Sequence, residues 1–125
     1  MSVENRIPDY LKKIYQLCLD IQAFVEDVPL EDFLDDKRTE NAVAMSLIAM
    51  GEIVTVLHHK YPEFLEQHKD IPWKYIRGMR NIIAHGYFEL DFEVVYETAV
   101  TSIPELFEQI KNLIMETQER VSEKY

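Results

Sequence analysis

An arginine, an asparagine, a histidine and a tyrosine crowd the stretch RNIIAHGY, residues 80–87. Arg80 offers a planar fork of N–H donors that matches the oxygens of a phosphate. His85 supplies an imidazole, the side chain that gains and loses a proton most readily near neutral pH. The two together have the means to hold a phosphodiester and to move a proton beside it. Asn81 stands four residues before His85, a spacing that brings side chains together on a helix, so it can orient the ring. Tyr87, beyond the break at Gly86, can pack, stack on a base or accept a chemical group. Lys74 and Arg77, upstream on the same helix, add positive charge for binding a substrate's phosphates. The plainer reading is a well-terminated helix. Cations near a helix C-terminus gain about 0.3–1 kcal/mol each from the dipole, and the spacing Arg-x4-His arises often by chance.

Helical spacing of apolar residues runs through nearly the whole chain, and two-residue alternation is absent. A first helix is expected from about residue 4 to 26, with Tyr10, Leu11, Ile14, Leu17, Ile21, Phe24 and Val25 inward. Pro29 breaks it, and PLEDFL suits one short helical turn. A second long helix covers roughly 37 to 59, with Ala42, Val43, Met45, Met50, Ile53, Val54 and Leu57 facing the core. Pro62 ends it, and PEFLEQ suits another turn. After Asp70, IPWKYIRGMRNIIAH reads as a third helix with Pro72 in its first turn and Gly86 as its stop. Asp91 can cap a last stretch reaching about residue 120, which Pro104 should kink or split. The expected architecture is all-α, a single domain over residues 1–125 built as an up-and-down bundle of four main helices.

On the third helix, turning about 100° per residue from Lys74, residues Tyr75, Ile76, Met79, Ile82 and Ile83 form one apolar stripe for the core. Lys74, Arg77, Asn81 and His85 share the polar side, and Arg80 lies at its edge, about 140° from His85. Gly78 and Ala84 are small and would let another backbone approach closely.

The totals narrow the classes of function. A chain of 125 residues, 47% hydrophobic and 29% charged, suits one folded domain. Its net charge of −10 argues against broad duplex binding, so any nucleic-acid role rests on a small basic patch or on a partner's charge. No run approaches the roughly 18 apolar residues of a membrane helix. The start, MSVENRIPDYLKKIY, carries no secretory pattern. The single cysteine, Cys18, fits a reducing compartment. A cytoplasmic protein without a membrane role is expected.

The stretch IPWKYIRGMRNIIAHGYFELDFEVVYETAVTSIPELFEQI resembles the HepT-like branch of the HEPN superfamily. Its motif Arg-x4-His-x-Tyr is matched by Arg80, His85 and Tyr87, and the polar residue that often follows the arginine by Asn81. Upstream, RTENAVAMSLIAMGEIVTVL resembles the family's second helix, including the pair Gly51–Glu52. The resemblance covers roughly residues 35 to 112. One departure is AMSLIAM, where polar positions are usual, and it leaves open which residues of that helix approach the site. The resemblance implies a metal-independent endoribonuclease, the toxin of a type VII toxin–antitoxin pair, with no cofactor. It implies a homodimer whose motif helices face each other. It also implies inactivation by an MntA-like minimal nucleotidyltransferase antitoxin that adds AMP to Tyr87.

These residues suit that chemistry. RNA carries its own nucleophile in the 2′-hydroxyl, so cleavage needs a proton carrier, His85, and a cationic fork for the crowded phosphate, Arg80. A dimer would supply a second imidazole as the acid. Whether tRNA or mRNA is the substrate stays open. The rival reading is a non-catalytic helical module whose basic patch docks a nucleotide or a nucleotidyltransferase. His58, His59, Glu63 and His68 match no zinc spacing and read as a polar helix end. The acidic run from Glu26 to Asp36 reads as a solvated connection, and Cys18 as core.

Overall fold

The computed structural model describes residues 5–124, with side chains as far as residue 118. Four long helices carry the fold: α1 (Ile7–Val25), α3 (Lys37–Lys60), α5 (Trp73–His85) and α7 (Ile103–Lys124). Short helices α2 (Leu30–Leu34), α4 (Pro62–Gln67) and α6 (Phe92–Glu97) lie between them, and the described residues include no strand. This is the all-α bundle that the apolar spacing predicts. The expected start of the first helix, residue 4, lies outside the described residues.

Local chemistry sets each boundary. Pro8 sits in the first turn of α1, where a missing N–H costs little. Asp36 caps α3 by accepting from the N–H groups of Arg38 and Thr39 at 3.1 and 3.2 Å. The Thr39 hydroxyl donates to its second oxygen at 2.6 Å. These bonds, the hydroxyl's first, hold the Asp36 carboxyl below the usual range. Asp91 caps α6 as expected, accepting from Glu93 N–H at 3.0 Å. Pro72 precedes α5 instead of sitting inside its first turn, and its carbonyl accepts the Ile76 N–H at 3.1 Å. The start of α5 is pinned by Trp73, a buried indole whose N–H donates to the His68 carbonyl at 2.9 Å.

Pro104 splits the last stretch, as its missing N–H requires. Residues Thr98–Ser102 form a wide π turn in which the Ile103 N–H reaches back five residues to the Thr98 carbonyl. The turn lets α6 pack on α2 and α3 while α7 packs on α1.

The core is one continuous cluster, with α3 packed against α1 on one side and α5 on the other. By length and composition α3 could cross a membrane, with a mean hydropathy of 1.5 over its most apolar stretch. That is more apolar than its lack of a long uninterrupted apolar run suggests, yet Val43, Leu47, Met50, Val54 and Leu57 are spent on the bundle's interior. On α1 and α3, two residues expected inside are outside: Met45 is 64% exposed and Phe24 39%. Both lie at the margin of their helix's apolar stripe, where spacing alone does not say how wide the covered face is.

Close approach of α3 and α5 depends on Gly51. A Cβ there would collide with the Cβ of Arg80 and lie 3.2 Å from the Ile76 carbonyl oxygen. Gly78, the glycine expected to admit a neighbouring backbone, has nothing within 4 Å of its Cβ position. Gly51→Ala should therefore cost about 1–3 kcal/mol in urea unfolding through overpacking. Gly78→Ala should gain about 0.5–1 kcal/mol from helix propensity. Burial pushes the Cys18 thiol up to about 12. At pH 9 it remains protonated, so iodoacetamide should label it only after the protein is unfolded.

Candidate functional site

The sequence WKYIRGMRNIIAH divides α5 into faces. Trp73, Ile76, Met79 and Ile83 are buried against the bundle, which fixes the rotation of the helix. Arg80 follows Met79 and emerges where Gly51 leaves room for its stem. Its Nε donates to Glu52 Oε1 at 2.6 Å, and Nη2 lies 2.6 Å from the same oxygen. Its Nη1 donates to Asn81 Oδ1 at 3.1 Å. The guanidinium is thus held on two sides at the protein surface, its side chain 29% exposed.

Asn81 does not do what its spacing suggested. Its carbonyl oxygen is taken by Arg80 rather than turned to His85. The effect still favours a joint site. Arg80 and His85 leave an ideal helix about 140° apart, but Asn81 and His85 share a face. By reaching Asn81, the long arginine side chain leans toward that face. His85 ends α5, exposed, and the Gly86 N–H closes the last turn on the Ile82 carbonyl at 3.0 Å. Lys74 and Asn81 are exposed and Arg77 is half-buried, so a polar seam with Lys74, Arg77, Asn81 and His85 runs along α5.

Tyr87 is half-buried in a short 3₁₀ turn, Tyr87–Glu89, rather than in an open loop. Its hydroxyl donates to Asn41 Oδ1, on the first turns of α3. The ring packs edge-on to Phe88 and Phe92, with centroids 5.7 and 5.9 Å away. Lys37 Nζ stands 5.9 Å from the ring's centre. Next to it, Phe88 is wholly exposed. The structure therefore gathers two groups at one end of α5: Arg80 with Asn81 and Glu52, and Tyr87 with Asn41 and Lys37. His85 lies between them in sequence and is in contact with neither by hydrogen bond.

Sequence reading missed the roles of Glu52, Asn41 and Lys37. In the sequence Glu52 stands out only as half of a Gly–Glu pair. Its signal was a carboxylate directly after a glycine in an otherwise apolar stretch. Asn41 and Lys37 carried no signal beyond the polar start of a helix. The buried stripe of α5 is narrower than its apolar spacing predicts, since Tyr75 is 52% exposed and Ile82 60%. With Met79, Gly86, Leu90 and Val94 they line an open apolar groove of about 540 Å³. Among the described residues, no three His, Cys, Asp or Glu side chains gather as metal ligands would. His58 and His59 instead meet edge to face, with ring centres 5.5 Å apart.

As chemistry, a fixed guanidinium and a solvent-reachable imidazole carried on one helix have the means to grip an anionic oxygen and to exchange a proton. Comparison with known proteins points the same way. Residues 14–113 match the family model described as Ribonuclease HepT-like. A protein of Caldanaerobacter subterraneus subsp. tengcongensis, provisionally named an RNase, is 37% identical over 105 residues, 84% of this chain and 91% of that one. One from Thermococcus cleftensis, provisionally named a ribonuclease HepT, is 34% identical over 106 residues, 82% of this chain and 94% of its own. One from Methanocaldococcus jannaschii, also provisionally named an RNase, is 33% identical over 115 residues, covering 91% and 96%. No solved structure matches the chain at a significant level.

Proposed function

The chain belongs to the ribonuclease HepT-like family, and from that premise we propose a metal-independent endoribonuclease that cuts RNA through its own 2′-hydroxyl. The observation that carries the reading is Arg80, held at the surface by Glu52 and Asn81 on the helix that ends in His85. In the first step the 2′-oxygen attacks the adjacent phosphorus while an imidazole takes its proton. The N–H fork of Arg80 stabilises the added charge on the phosphoryl oxygens. The 5′-oxygen then leaves with a proton from an acid, and the products are a 2′,3′-cyclic phosphate and a 5′-hydroxyl. A second copy of the chain would bring the second imidazole, which gives a homodimer through the motif helix a purpose in the chemistry. Lys74 and Arg77 extend the positive seam for flanking phosphates.

Tyr87 is the control point in this reading. The cell's partner is a minimal nucleotidyltransferase antitoxin, and the toxin is silenced by AMP on the Tyr87 oxygen. Lys37 supplies a positive charge near the ring that suits an incoming phosphate. The setting is the cytoplasm, where RNA and nucleotide triphosphates are at hand. The rival docking module draws on the net charge of −10, which disfavours RNA. It predicts partner binding without cleavage.

Purified protein should cleave single-stranded RNA in EDTA and leave cyclic-phosphate ends. Arg80→Ala and His85→Ala should each lower the rate by about a hundredfold or more. Cleavage that needs added metal, or survives intact in His85→Ala, overturns the mechanism; partner binding with no cleavage favours the docking module. Co-expression with the cognate nucleotidyltransferase should add adenylyl mass to the wild type and none to Tyr87→Phe. Equal modification of both would remove Tyr87 from the scheme.

A further inference from the structure

Glu52 has no evident reason to be where it is if stability were the only concern. It sits in the apolar helix α3 with a side chain 52% exposed, and ion pairs at such positions add little to stability. Its geometry is more specific than that gain requires. One carboxylate oxygen meets both Nε and Nη2 of Arg80 at 2.6 Å, so it covers the side edge of the guanidinium. Asn81 engages Nη1 at 3.1 Å. Gly51, the residue before Glu52, removes the Cβ that would push the arginine stem away. Adjacent residues of α3 thus admit the side chain and fix its head.

A guanidinium can present a phosphate with its side edge, Nε and Nη2, or with its end-on edge, the outer N–H groups of Nη1 and Nη2. Here the side edge is already occupied. We propose that Glu52 is the positioning residue for Arg80, committing its side edge to the protein so that the N–H groups of Nη1 and Nη2 not engaged by Glu52 and Asn81 face the scissile phosphate. The assignment rests on the ribonuclease reading for its function, though not for its geometry. Ordering a long side chain before substrate arrives removes part of the orientational cost of the reaction, and the gain appears in turnover more than in binding.

The test uses the full-length protein, a quenched fluorescent single-stranded RNA oligonucleotide, and the variants Glu52→Gln, Glu52→Ala, Arg80→Ala and Glu52→Ala/Arg80→Ala. Glu52→Gln keeps an acceptor at the same reach and should hold kcat within about fivefold of wild type. Glu52→Ala should lower kcat by about tenfold or more while KM changes by less than about threefold. In the Arg80→Ala background the loss of Glu52 should have no further effect, because it acts through that arginine. A Glu52→Ala protein as active as wild type, any Glu52 variant more active than it, or a loss that adds fully to that of Arg80→Ala overturns the proposal. Hydrogen exchange at the Arg80 Nε–H, followed by nitrogen-15 NMR, needs no cleavage. Slow exchange in wild type and Glu52→Gln, fast in Glu52→Ala, sustains the placement even if the wild type cuts no RNA, a result that would defeat only the ribonuclease reading. Fast exchange in the wild type overturns the placement itself.

Discussion

The contact between Gly51 and the stem of Arg80 is the constraint on which the site depends. Two helices cannot come this close with a side chain on both, and here α3 is the one that gives way. The rest follows from geometry. With its stem pressed on α3, the arginine head can only turn along that helix, where Glu52 receives it, or toward its own neighbour Asn81. The core supplies the other half of the constraint, since Trp73, Ile76, Met79 and Ile83 fix the rotation of α5 and so the direction in which Arg80 departs.

Magnitudes separate what holds the protein together from what arranges its chemistry. Burial of the apolar faces of α1, α3, α5 and α7 contributes about 1.5–3 kcal/mol for each large side chain removed from water. The half-exposed pair of Glu52 and Arg80 contributes far less than one such residue. The acidic chain carries Lys74, Arg77 and Arg80 on α5 and Lys37 at the start of α3. The same division explains why α3 can be apolar enough to suit a membrane and still carry polar contacts: its buried side makes the core, while Asn41 and Glu52 on its open side reach Tyr87 and Arg80.

Much of this was legible in the chain. Period and proline placement located the long helices, because burying an apolar stripe and losing a backbone donor are local demands. The motif residues Arg80, His85 and Tyr87 were legible through resemblance, and their common helix end through spacing. What was not legible came from contacts between segments distant in sequence. Nothing near Gly78 shows that Gly51 takes the crossing instead. Nothing near Asn81 shows that its oxygen will be claimed by Arg80 before His85 can use it. The exposed positions of Tyr75, Ile82 and Met45 are of the same kind, since periodicity finds a stripe's centre while only the neighbours decide its edges.

The bond between Tyr87 and Asn41 matters beyond its own energy. The Tyr87 hydroxyl donates its only proton to Asn41, tying the turn after α5 back to α3. Whatever becomes attached to that oxygen replaces the hydrogen, so the tether is severed by the chemistry of attachment alone, before size or charge enters. Gly86 is all that separates this anchor from His85. A covalent tag at Tyr87 would therefore speak to the imidazole twice, once as an obstacle and once by untying the ground it stands on.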